Sequence, residues 1–197
     1  MRNQCSRSQI QRVPRSTASS HPPAKPTSPT HNSALGETKN DAQPPTYNID
    51  HNHIVIGNGE SAFEKAKQAI RDWKMFDMPW VEICWPDTPV EEDQTVAILI
   101  RHFGFYSLNA ARIVYTIDKW DWFGFAYGTL RDHGESGEER FSVRLDRESG
   151  DVTYDLYAYS KPNYFSARLA YPLTRMLQKR FAQNSKDAMF RSIQYPS

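Results

Sequence analysis

The residues best suited to chemistry lie in a polar link between two strand-like segments and just after it. His133 is followed there by Glu135, Glu138 and Glu139. A histidine beside carboxylates can transfer protons or bind a divalent metal ion. No third His or Cys lies at ligand spacing, so we expect no metal ion, and we expect no cofactor. His133 with Glu138 and Glu139 is therefore a hypothetical catalytic acid–base set, and an ordinary solvated hairpin link is the alternative.

A second group of residues could hold a ligand. Arg180 lies in the apolar arc of the C-terminal segment, where a buried guanidinium needs a carboxylate, a carbonyl or a ligand anion. It could anchor an acidic head group, or its side chain could reach water near a helix end. Arg112 could pair with a carboxylate across a sheet or contact a ligand. Tyr127 lies in an aromatic strand and could either pack in the core or contact a ligand.

Composition divides the chain into two parts. Residues 1–47 contain a single aromatic residue, Tyr47, and seven of the thirteen prolines. Such a stretch cannot bury enough apolar surface to offset roughly 1–2 kcal/mol of backbone entropy per ordered residue. We therefore expect a disordered Pro/Ser-rich tail over residues 1–51 and a single domain over residues 52–197.

Hydrophobic periodicity predicts the elements of this domain. A short strand at residues 54–56 precedes an amphipathic helix from Ser61 to about Trp73, which Ser61 and Glu64 would open as a capping box. Six strand-like segments follow, at residues 80–85, 95–103, 111–117, 122–130, 138–145 and 152–160. A long helix begins near Asn163, and Pro172 either kinks it or opens a second helix.

This element order predicts an α+β fold. The short links favour antiparallel neighbours, and the last helix is the large apolar cover that such a sheet needs. We expect a curved antiparallel β-sheet wrapped around a long C-terminal helix. One face of segment 122–130 carries only Gly124, Ala126 and Gly128, so a docked helix, a sharp curl of the sheet or a ligand should approach it closely.

The run from Gly124 to Leu130, continued by His133 and by the run from Glu135 to Phe141, resembles a known family. Further matching stretches are Gly57-x-Gly59 with Phe63, Ala66 and Trp73; Arg112-Ile113-Val114-Tyr115; Ser160-x-Pro162; and Tyr171-Pro172-Leu173-Thr174-Arg175 with Gln178. On these residues the chain is similar to domain-of-unknown-function family nineteen-ninety, which is grouped with the birch-pollen-allergen-like, START-related helix-grip proteins.

The resemblance, over about residues 54–181, implies a helix-grip fold and no particular reaction. Gly134 stands where the family pattern usually has Pro, so we expect a less rigid loop here. With the motifs of the family taken into account, the ligand-binding candidates are Arg112, Tyr127, Thr129, Glu135, Arg175 and Arg180.

Charge and hydropathy exclude some partners. After residue 47 the chain has three more acidic than basic residues, so we do not expect it to bind nucleic acid. It has no apolar run of the roughly 18 residues that a membrane span needs, and no secretory signal. Nothing indicates that Cys5 and Cys84 pair, so we expect free thiols and a cytoplasmic protein.

We expect a module that binds a small hydrophobic molecule, lipid-like or aromatic, in a cavity between the sheet and the C-terminal helix. The alternative is a cyclase- or hydrolase-type enzyme that uses His133 with Glu138 or Glu139, and catalysis is the less favoured interpretation. The second alternative is a protein-interaction module without a ligand cavity. Ligand identity and oligomeric state stay open.

Overall fold

The computed structural model describes residues 48–102, 104–129, 135–162 and 171–195. Within these ranges the chain forms one sheet, two α-helices and a short 3-10 turn. In chain order they are β1 (Asn48–Asn58), α1 (Gly59–Arg71), the 3-10 turn (Lys74–Phe76), β2 (Val81–Ile83), β3 (Thr95–His102), β4 (Phe105–Asp118), β5 (Trp122–Thr129), β6 (Glu135–Leu145), β7 (Asp151–Pro162) and α2 (Tyr171–Gln194).

The sheet has seven strands in the order β1-β7-β6-β5-β4-β3-β2. Every neighbouring pair is antiparallel. Register shifts interrupt β1 between Val55 and Gly57 and β4 between Ile113 and Tyr115, where Val114 is an extra residue without a pairing partner. Such bulges bend a strand and increase its twist. The predicted curled antiparallel sheet with a C-terminal helix is confirmed.

The ends of several elements differ from the prediction. β1 begins at Asn48, because its first residues pair with the end of β7. α1 begins at Gly59, directly after Asn58, which makes no side-chain capping bond, so the predicted capping box at Ser61 is wrong. α2 runs from Tyr171 to Gln194, with Pro172 in its first turn. The predicted helical segment from Asn163 to Ala170 lies outside the described residues.

The core lies between the concave face of the sheet and the two helices. α1 supplies Phe63, Ala66 and Ile70, and α2 supplies Met189 and Ile193. Strand residues at alternate positions face them, because side chains of a strand point to opposite faces in turn. These inward residues are Ile56, Val96, Ile98, Ile113, Phe123, Phe125, Tyr127, Phe141, Val143, Val152, Tyr154 and Leu156.

The small-residue face of β5 lies on the convex side of the sheet. Gly124 pairs with Ser142 of β6, and a Cβ on Gly124 would lie 2.6 Å from the Ser142 Cβ and 2.7 Å from its Cα. The backbones of β5 and β6 therefore approach each other closely where the sheet curls. Of the three expected explanations for this face, sheet curl is the one that the structure shows at Gly124.

Two further expectations concern membranes and thiols. Neither α1 nor α2, the helices in the described ranges, has the length and apolar character that crossing a bilayer requires.

Cys84, just after β2, is disulfide-bonded, so the expected free thiol is wrong there. No other cysteine lies in the described ranges.

Candidate functional site

A row of five residues crosses the concave face of the sheet. The register pairs Asp50 with Ala158, Ala158 with Glu139, Glu139 with Tyr127, and Tyr127 with Ile113. These residues come from β1, β7, β6, β5 and β4, and we call them the concave row. Each shares the parity of inward core residues on its own strand, which is why a glutamate and an aspartate face the helices.

Tyr127 and Glu139 form a hydrogen-bonded pair at the centre of the concave row. The Tyr127 hydroxyl donates to Glu139 Oε2 at 2.7 Å. Tyr127 is 9% exposed, and its ring lies 6.5 Å from Phe76 and 5.4 Å from Phe141. A polar pair therefore stands inside an otherwise aromatic wall.

Burial sets the protonation of this pair. It raises the pKa of Glu139 to about 7, the Tyr127 hydrogen bond opposes the rise, and the negative charge of Asp50 adds to it. Burial, followed by the nearby Glu139 charge, holds the pKa of Tyr127 well above its ordinary value. Glu139 can therefore donate or accept a proton at neutral pH, whereas Tyr127 stays protonated.

Glu139 is enclosed but not sealed. Its residue surface is only partly buried, although burial dominates its pKa. Among the described residues, Glu139 Oε1 has no hydrogen-bond partner. It is also not one of the unpaired polar atoms that are shielded from solvent, so solvent can reach it. A carboxyl that is surrounded by protein and still presents one open oxygen is suited to contact a small molecule.

Asp50 is bound from the helix side by Arg175. Arg175 Nη2 donates to Asp50 Oδ1 at 2.7 Å, and Nη1 donates to Asp50 Oδ2 and to Gln178 Oε1. This bidentate ion pair joins the start of β1 to the first turns of α2. Arg175, one of the predicted ligand-binding residues, thus faces the concave row with its charge compensated by a carboxylate.

Glu138 faces away from Glu139, on the convex side. It pairs with Tyr159 in the register, and the Tyr159 hydroxyl donates to Glu138 Oε2 at 3.3 Å. Burial raises the Glu138 pKa, while hydrogen bonds from Tyr159 and Tyr115 and the charge of Arg140 oppose the rise. Because neighbouring strand residues alternate, the two glutamates do not line one site.

The other predicted site residues lie elsewhere or outside the description. Arg112 is exposed beside Gly128 on the convex face. Arg180 is exposed, and its guanidinium carbon lies 4.9 Å from the centroid of the Trp80 ring. This position fits the alternative in which the Arg180 side chain reaches water. Thr129 and Glu135 are described only as backbone, paired with Ala111 and Pro162. His133 lies outside the described residues.

Asp50 is the site residue that sequence reasoning missed. The predicted first strand began at Ile54, so the residues before it were assigned to the tail. A signal was present, because Asp50 has the same parity as Ile54 and Ile56. Extending the strand backwards in steps of two would have placed a lone carboxylate on the apolar face.

The chain is similar in sequence to several known proteins. A family profile described as Domain of unknown function (DUF1990) matches residues 31–188. The chain belongs to this family. A DUF1990 relative from Dictyostelium discoideum, named UPF0548 protein, is 37% identical over 158 residues, covering 75% of this chain and 73% of the relative. A UPF0548 protein from Arabidopsis thaliana is 33% identical over 151 residues, covering 74% and 73%.

Solved structures show that this DUF1990 chain has the helix-grip fold. A hypothetical protein from Helicobacter pylori aligns with a TM-score of 0.52 at 14% identity, over 73% of this chain and 86% of that one. Zhui aromatase/cyclase from Streptomyces sp. R1128 aligns at 0.50 and 14%, over 75% and 94%. Norcoclaurine synthase from Thalictrum flavum, in complex with dopamine and hydroxybenzaldehyde, aligns at 0.50 and 10%, over 77% and 88%.

Proposed function

We propose that the chain binds a small, mostly apolar molecule between the concave row and the first turns of α2. The Tyr127–Glu139 pair is the polar contact of this ligand. The observation that carries the proposal is the 2.7 Å hydrogen bond of this pair on a face that is otherwise aromatic. Small-molecule sites are typically apolar, with a few polar groups that fix the orientation of the ligand.

The surroundings of the pair support an apolar ligand. Phe76, Phe141 and Phe181 lie with ring centroids 5.4–6.4 Å apart, and Phe125 stacks on Phe141 at 5.4 Å. Ala158, between Asp50 and Glu139 in the concave row, contributes only a methyl group. The row therefore carries its smallest side chain between its two carboxylates, a position that we call the gap, and the aromatic Tyr127 lies on the other side of Glu139.

Proteins of the same fold support the same class of ligand by analogy. The Thalictrum flavum synthase was captured with dopamine and hydroxybenzaldehyde, and the Streptomyces protein is named an aromatase/cyclase. At this sequence identity the likeness extends to the fold, and fold alone does not determine function. The weight of the proposal rests on the residues of the concave row.

The proposal predicts that filling the gap in the concave row abolishes ligand binding. Ala158→Phe places a ring between Asp50 and Glu139, and Thr153→Phe on the convex face of the same strand is the matched control. Native mass spectrometry of protein purified from its source, before and after solvent extraction, measures bound compound. We expect a removable adduct with the unsubstituted chain and the control, and none with Ala158→Phe.

The outcome that contradicts the proposal is equally clear. If the unsubstituted chain carries no adduct and also binds no added apolar compound, its core is filled. A protein-interaction module is then the better interpretation. Melting curves of both variants show whether loss of binding reflects loss of fold.

A second function is favoured by the hydrogen bond that Glu139 accepts from Tyr127 in a setting where burial raises the Glu139 pKa to about 7. A carboxyl with this pKa is suited to general acid–base catalysis near neutral pH. An enzyme would then use Glu139, with Tyr127 as its hydrogen-bond partner, and Glu138 on the other face takes no part. Chemical change of the bound compound that stops in Glu139→Gln, while the compound still binds, would favour this second function.

A further inference from the structure

We infer that the concave row selects ligands that present a hydrogen-bond donor, an amine or a hydroxyl, and discriminates against ligands with an anionic head group. This inference rests on the proposed function, because it names the chemical class of the ligand at the same site. It replaces the expectation that an arginine anchors an acidic head group.

The first argument is the hydrogen-bonding capacity of Glu139. Its Oε2 accepts from the Tyr127 hydroxyl at 2.7 Å, which uses the proton that Tyr127 could have given to a ligand. Its Oε1 has no partner among the described residues. An ionised carboxylate accepts hydrogen bonds and donates none. The open position at the centre of the row therefore suits a donor.

The second argument is that neither described arginine of α2 that was predicted to reach the ligand is available to bind an anion. Arg175 directs both terminal nitrogens at Asp50, and one of them also donates to Gln178. An anion could recruit Arg175 only by displacing Asp50 and leaving that carboxylate uncompensated. Arg180 is exposed and lies over Trp80. Of the described side chains, these two were the arginines predicted to reach the ligand from α2.

The third argument is the charge around Glu139. The groups that interact with Glu139 are Tyr127 of β5, Asp50 of β1 and Tyr154 of β7. Arg175 of α2 binds Asp50. Burial is the main cause of the raised Glu139 pKa, and the negative charge of Asp50 adds to the rise. An anionic head group would add a further negative charge, whereas an ammonium group would offset the charge of Glu139 and hold it ionised.

A matched series of ligands tests the inference in calorimetric titrations at pH 8. All four compounds share a naphthalene ring: 1-naphthylmethylamine, 2-naphthol, 2-methoxynaphthalene and 2-naphthoate. The amine and the naphthol should bind at least about tenfold more tightly than the methoxy compound, the usual effect of one hydrogen bond to a charged group. The naphthoate should bind most weakly. The amine should also bind more weakly at pH 6, where Glu139 holds its proton.

Two substitutions assign the effect to the concave face. In Glu139→Gln the preference for the amine over 2-methoxynaphthalene should fall to less than about threefold, because the neutral amide no longer attracts the ammonium. In Glu138→Gln, one residue away on the convex face, the preference should be unchanged. Unchanged preference in Glu139→Gln would overturn the assignment.

The series separates this inference from the proposed function. If none of the four compounds binds, the proposed function fails and the inference fails with it. If all four bind with similar affinity, or the naphthoate binds most tightly, the site stands and the inference is overturned. This comparison needs only the unsubstituted chain, so it holds even if a variant does not fold.

Discussion

Neighbouring carboxyls with different surroundings are the main feature at the residue scale. Glu138 and Glu139 follow each other in β6, and burial raises the pKa of both, although they face opposite sides of the sheet. A carboxyl whose pKa is raised by folding binds more protons in the folded than in the unfolded chain at intermediate pH. Its contribution to stability is therefore present at low pH and is lost as the pH rises.

For Glu139 the pH window runs from its ordinary value of 4.5 to about 7. Glu139→Gln should leave stability unchanged near pH 5 and increase the free energy of unfolding at pH 8 by about 2–3 kcal/mol, since each pKa unit corresponds to about 1.36 kcal/mol. Urea unfolding across this range measures the difference. The exposed Glu92→Gln is the control, and parallel stability–pH curves for Glu139→Gln and the unsubstituted chain would refute the prediction.

At the element scale, strand alternation explains both what sequence reasoning found and what it missed. Six strands could be predicted, and so could the faces of β5 and β6, where Phe125 and Tyr127 or Phe141 and Val143 repeat with a period of two. In β4 the bulge at Val114 changes the face within the strand, which simple alternation does not predict. The strand ends could not be predicted, because β6 begins at Glu135 with polar residues and glycine that resemble a loop. Backbone bonds to the end of β7 stabilise this part of β6, and such non-local pairing leaves no local pattern.

Glu138 and Glu139 were grouped as one acid–base set, although both lie within the strand predicted over residues 138–145. In a loop, adjacent carboxylates can converge on one ligand. In a strand they point to opposite faces. Applied to the predicted strand, this alternation would have separated the two glutamates, and the register of β6 places them on opposite faces. Tyr127 and Arg175 were proposed as site residues from sequence and do face the concave row, but the carboxylate that holds Arg175 comes from a strand segment assigned to the tail.

Close contact between β5 and β6 makes a prediction at this scale. Gly124→Ala should destabilise the fold by about 3 kcal/mol, because its Cβ would lie 2.6 Å from the Ser142 Cβ and overpacking of a rigid interior is costly. Gly128→Ala is the control on the same strand face, since its Cβ would meet Val114 Cγ1 at 3.4 Å. Chemical denaturation measures both, and similar losses in the two variants would contradict the close-contact account.

At the scale of the whole molecule, polar bonds hold α2 along the sheet. Arg175 binds Asp50 near the start of the helix, Ser185 bonds to Tyr154 at 2.8 Å in its middle, and Gln194 Nε2 donates to the Ile56 carbonyl at its end. The apolar pattern predicted that the sheet would grip this helix. The apolar pattern could not predict these bonds. Two of them join residues more than a hundred positions apart. The Tyr154–Ser185 bond joins a strand and a helix whose relative position is defined only by the fold.

The Tyr154–Ser185 bond is fully buried, which allows a double-mutant cycle. Tyr154→Phe and Ser185→Ala should each lower the free energy of unfolding by about 1–2 kcal/mol, because each leaves one buried hydroxyl unpaired. The double variant should lose less than the sum of the two single losses. Guanidinium unfolding provides the values, and strictly additive losses would show that the two hydroxyls do not interact in solution.

The extra residue in β4 has a consequence for how chains of this kind can change in length. Ile113 faces the helices and Tyr115 pairs with Ala126 on the other side of the sheet, with Val114 left over between them. Losing Val114 would restore a regular ladder and keep every later side chain of β4 on its present side, at the expense of local bending. Loss of any other residue of β4 would move part of its side chains to the opposite face of the sheet. Position 114 is therefore the place in β4 where a one-residue deletion could be accepted in evolution without further substitutions in the strand.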